Sequence, residues 1–253
     1  MSDVTAILKL LSDDDQTIRQ HLHGQLRTDP ELLAAVWNQA TEHDAIPRDL
    51  ARLVVEQDAS DLVHHFRDPD TDVETGAWLL TLLERPRQPI LTTGPAKLDA
   101  LAASLPAAAD AGDIARYLGR DLGISGDRSD YHAPANSMLD QVLERRCGLP
   151  MTLTMLWMIV CRRRGQTAEA LVLPGHVVGR WDGGYLDPFE GGVPIGEDEI
   201  DRMCLASGFV DPERFLSPAS GRDVLQRMAR NLVYAYRKIG DDQRARLAAM
   251  MAL

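Results

Sequence analysis

Apolar positions in the first third of the chain recur at helical spacing. Asp29-Pro30-Glu31 offers an N-cap with proline at the first helical position, and Leu32, Leu33, Val36 and Trp37 follow on one face. Ser60 and Asp61 precede Leu62, Val63 and Phe66, and residues 75–83 form a further apolar helix that Pro86 and Pro89 stop. Such short helices with polar turns can stack as hairpins, although no repeat period runs through them. Residues 85–95, RPRQPILTTGP, are rich in proline and glycine and mark a boundary. The pattern therefore sets a helical N-terminal region, 1–90, apart from a core, 91–237, and a helical C-terminal tail, 238–253.

Within the core, residues 97–105 and 111–122 read as helices. Asn136 is placed to cap a helix over 137–146 with Gly148 at C′. Pro150 opens a second apolar helix that Gly165 closes, so two helices meet at a sharp corner, CGLP. After Gly165 the period changes. EALVLPGHVVGRW is short, apolar and β-rich, Asp182-Gly183-Gly184 supplies turn chemistry, and YLDPF returns. Residues 191–195 add a short strand. From Asp198 the pattern is helical again, ending in 224–236 and 243–251. Helices, then an antiparallel sheet, then helices make an α+β chain, not an alternating βαβ one.

The hairpin carries the candidate chemistry. With Asp182-Gly183 as a two-residue loop, Asp187 lies opposite Val178 and His176 is its diagonal neighbour, a separation a His–Asp contact can bridge. A three-residue loop would put the two on opposite faces. A carboxylate on one imidazole nitrogen fixes the tautomer and stabilises the imidazolium formed when the other nitrogen takes a proton. A nucleophile for such a pair belongs where its charged form is favoured, such as a helix N-terminus. Thr152 lies in the first turn after Pro150, and Cys147 lies just before it; the two are alternative nucleophile candidates. Asn136 is either a helix cap or an oxyanion-hole donor, and Gln141 is a second donor on the same helix.

Composition narrows the classes. The 253 residues are 45% hydrophobic and 26% charged, enough for a folded core and against disorder. A net charge of -11 argues against a nucleic-acid surface, which needs clustered cations. The one basic run, Arg162-Arg163-Arg164, reads as solvated cations at a helix C-terminus. The apolar run 149–161 is too short and too rich in threonine to span a bilayer, so no membrane contact is expected. Three cysteines without a framework, Cys147, Cys161 and Cys204, point to reduced thiols and a cytoplasmic protein, and no secretory signal opens the chain. Cys161 and Cys204 read as inert core. The histidine pairs 21/23 and 64/65 lack the i, i+4 spacing of helical metal ligands, so neither a metal nor another cofactor is expected.

Several motifs occur in order: Tyr131, Pro134-x-Asn136-Ser137, Arg146-x-Gly148-x-Pro150, Pro174-Gly175-His176 and Asp187-Pro188-Phe189. In this the sequence resembles the bacterial SirB-type transglutaminase-like proteins over roughly half its length. The resemblance implies a transglutaminase-like, papain-like core in which helices pack on a small antiparallel sheet. In active relatives a cysteine opens a helix facing the histidine and aspartate, which correspond to His176 and Asp187. Thr152 stands where the SirB-type pattern carries serine. A threonine hydroxyl has almost no anion at neutral pH and is hindered by its β-methyl. The expectation is a protein that binds a peptide or protein segment between the Pro150 helix and the hairpin without an efficient nucleophile. The alternative is a peptidase, deamidase or acyl transferase acting on amide or thioester carbonyls.

Overall fold

The computed structural model describes residues 2–43, 46–209 and 211–253. The chain forms two compact units, Met1–His65 with Leu82–Gln88, and Phe66–Thr81 with Pro89–Leu253. The first contains α1 (Ser2–Leu11), α2 (Gln16–Thr28), α3 (Pro30–Glu42) and most of α4 (Arg48–Arg67). Asp29 caps α3 through the Leu32 amide at 2.9 Å, with Pro30 at N1, as the sequence predicts. Leu26, Leu33, Val36, Trp37, Leu50 and Val54 bury their side chains together in this unit. Arg87 closes it by a two-point bond to Asp58, Nε and Nη2 each 2.8 Å from a carboxylate oxygen.

The second unit opens with α5 (Val73–Thr81) and α6 (Ile90–Ala103), then α7 (Ala111–Arg116) and a π-helical turn, Tyr117–Asp121. Next come β1 (Ser125–Gly126), α8 (Leu139–Arg145), β2 (Cys147–Gly148) and α9 (Pro150–Arg163). Four strands follow: β3 (Glu169–Leu173), β4 (His176–Trp181), β5 (Gly184–Asp187) and β6 (Val193–Ile195). They form one antiparallel sheet in the order β3-β4-β5-β6. The helices α10 (Glu197–Ala206), α11 (Gly221–Lys238) and α12 (Asp242–Met251) complete the unit. The architecture is α+β: helices around a small antiparallel sheet.

Helix α9 is the spine of this unit, with every residue from Pro150 to Trp157 buried. Pro150 sits at N1, and Gly165, at φ 69°, ends the helix in a Schellman turn whose Gln166 amide returns to the Cys161 carbonyl. Trp157 packs where a Cβ on Gly179 of β4 would stand, and its indole N–H donates to the Ala111 carbonyl at 2.8 Å. On the other face of the sheet Val178 packs with Ile200 and Cys204 of α10. Cys161 is buried within α9, and burial pushes its thiol up to about 12.

Four details differ from the sequence pattern. The 85–95 stretch is not all boundary: α6 begins at Ile90 and runs through Gly94 and Pro95. Gly94 lies against the Trp78 indole, so tertiary packing overrides the breaker signal. Helix α5, on the N-terminal side of the expected boundary at residue 90, belongs to the second unit, where Gly76 abuts Leu225. The basic run is not a set of solvated cations. Arg163 is mostly buried, bonds both oxygens of buried Glu74 at 2.6 and 2.7 Å, and reaches Asp99 at 2.7 Å. Arg162 also meets Glu74, and Arg164 donates to the Pro106 carbonyl. The run ties α9 to α5 and α6, because a buried carboxylate demands cationic partners. Finally, Gly148 is not the C′ residue of α8. Arg146 takes the left-handed position at φ 59°, and Cys147 and Gly148 pair in parallel with Ser125 and Gly126.

In the π-helical turn, a Cβ on Gly119 would stand 1.8 Å from the Gly191 carbonyl oxygen. Backbone cannot yield as a flexible side chain can, so Gly119→Ala is expected to destabilise the second unit by about 1–3 kcal/mol. A Cβ at Gly24 in α2 would point into open space among the described residues, and Gly24→Ala should stabilise the first unit by about 0.5–1 kcal/mol. Chemical denaturation of the two variants checks both signs.

Candidate functional site

The β4–β5 register pairs Gly179 with Leu186, Arg180 with Tyr185 and Trp181 with Gly184, leaving Asp182-Gly183 as a two-residue loop. That register brings Asp187 to the diagonal of His176. His176 Nε2 lies 2.7 Å from Asp187 Oδ2, and the second carboxylate oxygen accepts the Phe189 amide at 2.9 Å. Asp187 is buried, so both oxygens are used inside the protein. A carboxylate only accepts, so Nε2 carries the shared hydrogen; in the neutral imidazole Nδ1 is then the acceptor nitrogen. Among the described residues nothing bonds to Nδ1, and the His176 side chain keeps 20% of its surface open. The Phe189 ring meets the imidazole edge-on at 5.9 Å, while the Arg128 guanidinium lies 5.2 Å from the centre of the Phe189 ring.

Neither candidate nucleophile is hydrogen-bonded to this pair. Thr152 occupies the first turn of α9, fully buried, with a hydroxyl that has no partner among the described residues. Strand alternation places His176 on the face of Val178, toward α10, whereas Gly179 and Trp157 of α9 meet on the other face. Cys147 stands in β2, its sulfur 3.8 Å from Asp127 Oδ2. Burial pushes its thiol up and Asp127 adds to that, against the opposing pull of Arg145. Cys204 is buried in α10 as a packing residue.

Asn136 does not cap α8, whose N-cap is Met138 with no side-chain bond. It lies in a 3-10 turn, Pro134–Ser137, and its amide donates to the carbonyls of Asp130 and Tyr131 at 2.8 and 3.2 Å. Its oxygen accepts Arg145 Nη1 at 2.8 Å. A local capping bond loses here to partners on two other segments. Gln141 is half-buried on α8 and donates to Asp140 at 3.3 Å.

The residue that holds this region together is one the sequence reading passed over. Buried Asp127 accepts the Ser129 and Asp130 amides at 3.0 Å and the Ser129 hydroxyl at 2.7 Å on one oxygen, and Arg145 Nη2 at 2.8 Å on the other. Burial pushes the carboxyl up. The Asp130 amide, the Ser129 hydroxyl and the Arg145 guanidinium more than offset this and hold it well below the usual carboxylate range. The Asp-x-Ser-Asp spacing is an Asx-turn signal that could have been read; the partner at Arg145 could not.

Residues 93–230, more than half of the chain, match the family described as the transglutaminase-like superfamily. The chain belongs to that superfamily. It is 38% identical over 133 residues to a UPF0162 protein of Xylella fastidiosa (strain 9a5c), a stretch covering 49% of this chain and 47% of that one. A UPF0162 protein of Vibrio cholerae is 32% identical over 83 residues, 31% of each chain. F-box only protein 21 of Mus musculus is 29% identical over 134 residues, 48% of this chain and 21% of that protein. The matched stretch spans about half the length of the Xylella relatives. No solved structure matches significantly.

The transglutaminase-like region contains His176, Asp187, Thr152, Cys147, Asn136 and Gln141. Asp187 also lines a cavity of ≈ 490 Å³ with Glu190, Val193, Asp198 and Arg202. Among the described residues no group of three or more His, Cys, Asp or Glu side chains is arranged to hold a metal ion, and no helix is long and apolar enough to cross a membrane.

Asp127 generates a prediction with a defined sign. Its carboxyl is lowered in the folded state, so its contribution is present above the unfolded aspartate value of about 3.9 and lost as pH falls below it. Asp127→Asn is expected to cost about 2 kcal/mol at neutral pH. The difference from the wild type should narrow at about pH 3, measured by chemical denaturation at both pH values.

Proposed function

We propose that this transglutaminase-like protein binds a peptide or protein segment across the His176–Asp187 pair and holds it without cleaving it. The observation that carries the reading is the state of the two candidate nucleophiles. The Thr152 hydroxyl is sealed from solvent, and the Cys147 thiol faces a carboxylate that disfavours its thiolate. His176 nonetheless keeps Nδ1 open, and a neutral imidazole there accepts a hydrogen bond from a backbone amide of a bound segment. Three unpaired cysteines support placing the protein in the reducing cytoplasm.

A second reading is acyl chemistry. The partnerless Thr152 hydroxyl and the open Nδ1 favour it. There Thr152 or Cys147 attacks an amide or thioester carbonyl, Nδ1 takes the proton and Asp187 holds the imidazolium, which returns the proton to the departing amine or thiolate; water or an amine then takes the acyl group and frees the hydroxyl or thiol.

Mass spectrometry of a random octapeptide library, incubated with the wild type and with His176→Ala, separates the two. Binding predicts that a subset of peptides is retained at unchanged mass, about tenfold more weakly by the variant, the loss expected for one hydrogen bond. Peptides cleaved or deamidated by the wild type and left intact by His176→Ala would sink the binding reading and establish the enzyme.

A further inference from the structure

A row of rings leads away from His176. Phe189 follows it at 5.9 Å, Tyr131 lies 6.0 Å beyond, His132 a further 5.1 Å, and Tyr234 of α11 is 4.6 Å from His132. Tyr131 and Tyr234 are among the exposed large side chains of the chain, at 38% and 56%. Between them, with Leu149 and Asn231, is a cavity of ≈ 280 Å³, enough for one or two side chains. A second cavity of ≈ 390 Å³ shares Tyr234 and is lined by Arg230 and Arg237.

The cations at this end differ from four other arginines of the same unit. Arg145, Arg163, Arg180 and Arg244 each hold a carboxylate. The side chains of Arg227, Arg230 and Arg237 make no hydrogen bond or ion pair among the described residues, on a protein with 38 acidic and 27 basic residues. With Tyr234 they fall at i, i+3, i+7 and i+10, one stripe of α11. Arg227 is half-buried, and burial together with the neighbouring Arg230 lowers its hold on its proton, a strain an incoming anion relieves. The one acid on α11, Asp223, is occupied in the helix cap with Ser220.

We propose that the ring row and this arginine stripe form a subsite for an acidic peptide segment. An apolar or aromatic side chain enters the cavity at Tyr131 and Tyr234, and carboxylates meet Arg227, Arg230 and Arg237. This rests on the binding reading above and adds the chemistry of the segment. Arginine forks match carboxylates, and exposed aromatic faces bind apolar side chains at low entropic cost. Single-stranded nucleic acid is the competing polyanion, since it too uses cations and stacking rings. A chain of net charge -11 with a single short cationic stripe favours the peptide.

The test is fluorescence anisotropy with three labelled probes: an octapeptide with alternating glutamates and a central phenylalanine, its glutamine counterpart, and an eight-nucleotide oligothymidylate. The wild type is expected to prefer the glutamate peptide by about tenfold, with the preference falling as salt rises from about 50 to about 500 mM. Arg230→Gln/Arg237→Gln, both exposed sites, should erase most of that preference, and adding Arg227→Gln the rest. His176→Ala should weaken both peptides alike and keep their ratio. Equal binding of the two peptides by the wild type, still sensitive to His176→Ala, overturns the acidic subsite and leaves peptide binding standing. Binding of neither peptide removes both. Oligothymidylate bound more tightly than the glutamate peptide assigns the stripe to nucleic acid and also overturns the proposal.

Discussion

The turn at Asp182-Gly183 is two residues long, and the candidate site depends on that length. Side chains alternate across a strand, so one added residue would send Asp187 to the opposite face from His176. With two, the diagonal closes to a 2.7 Å hydrogen bond, and the same register sets Gly179 beneath the Trp157 ring. The pair's geometry and the packing of the sheet on α9 are thus one constraint. The histidine cannot be repositioned by re-registering the hairpin without driving a side chain into an indole.

Packing elsewhere serves to keep that sheet fixed. Helix α9 is buried through its first eight residues and ends in three arginines, two of which converge on the buried Glu74 carboxylate. Burying a carboxylate is costly alone and tolerable when guanidinium groups satisfy both oxygens. The C-terminal end of α9 is therefore held by directional charge pairs and the N-terminal end by hydrophobic contact. The far edge of the sheet is anchored by Gly119 meeting Gly191, backbone against backbone, inside a π-helical turn.

Much of this was legible from local chemistry. Asp29-Pro30 and Pro150 start helices because an N-cap side chain and a fixed φ act within one turn of chain, and Asp182-Gly183-Gly184 supplies the hairpin turn, with Gly184 taking the positive φ. The misreadings share a cause: the decisive partner is distant in sequence. Asn136 forgoes a cap for Arg145 and two carbonyls, Gly94 and Pro95 stay helical against Trp78, and the arginine run finds Glu74 far up the chain. Arg146 adopts a left-handed conformation that composition assigns to glycine. In the site, His176 and Asp187 were visible as a pair because a hairpin joins them. Asp127 was not, because its meaning lies in what gathers around it.

That gathering has a kinetic side. Asp127 holds its own turn, the arginine ending α8 and, through that arginine, Asn136 in the preceding turn. Releasing any of these bonds leaves a polar atom of buried Asp127 or Asn136 without its partner. Partial opening of the segment from Asp127 to Gly148 is therefore costly, and its amides are expected to exchange together rather than one by one. Through Tyr131 and Phe189 it reaches an imidazole whose Nδ1 has no partner among the described residues.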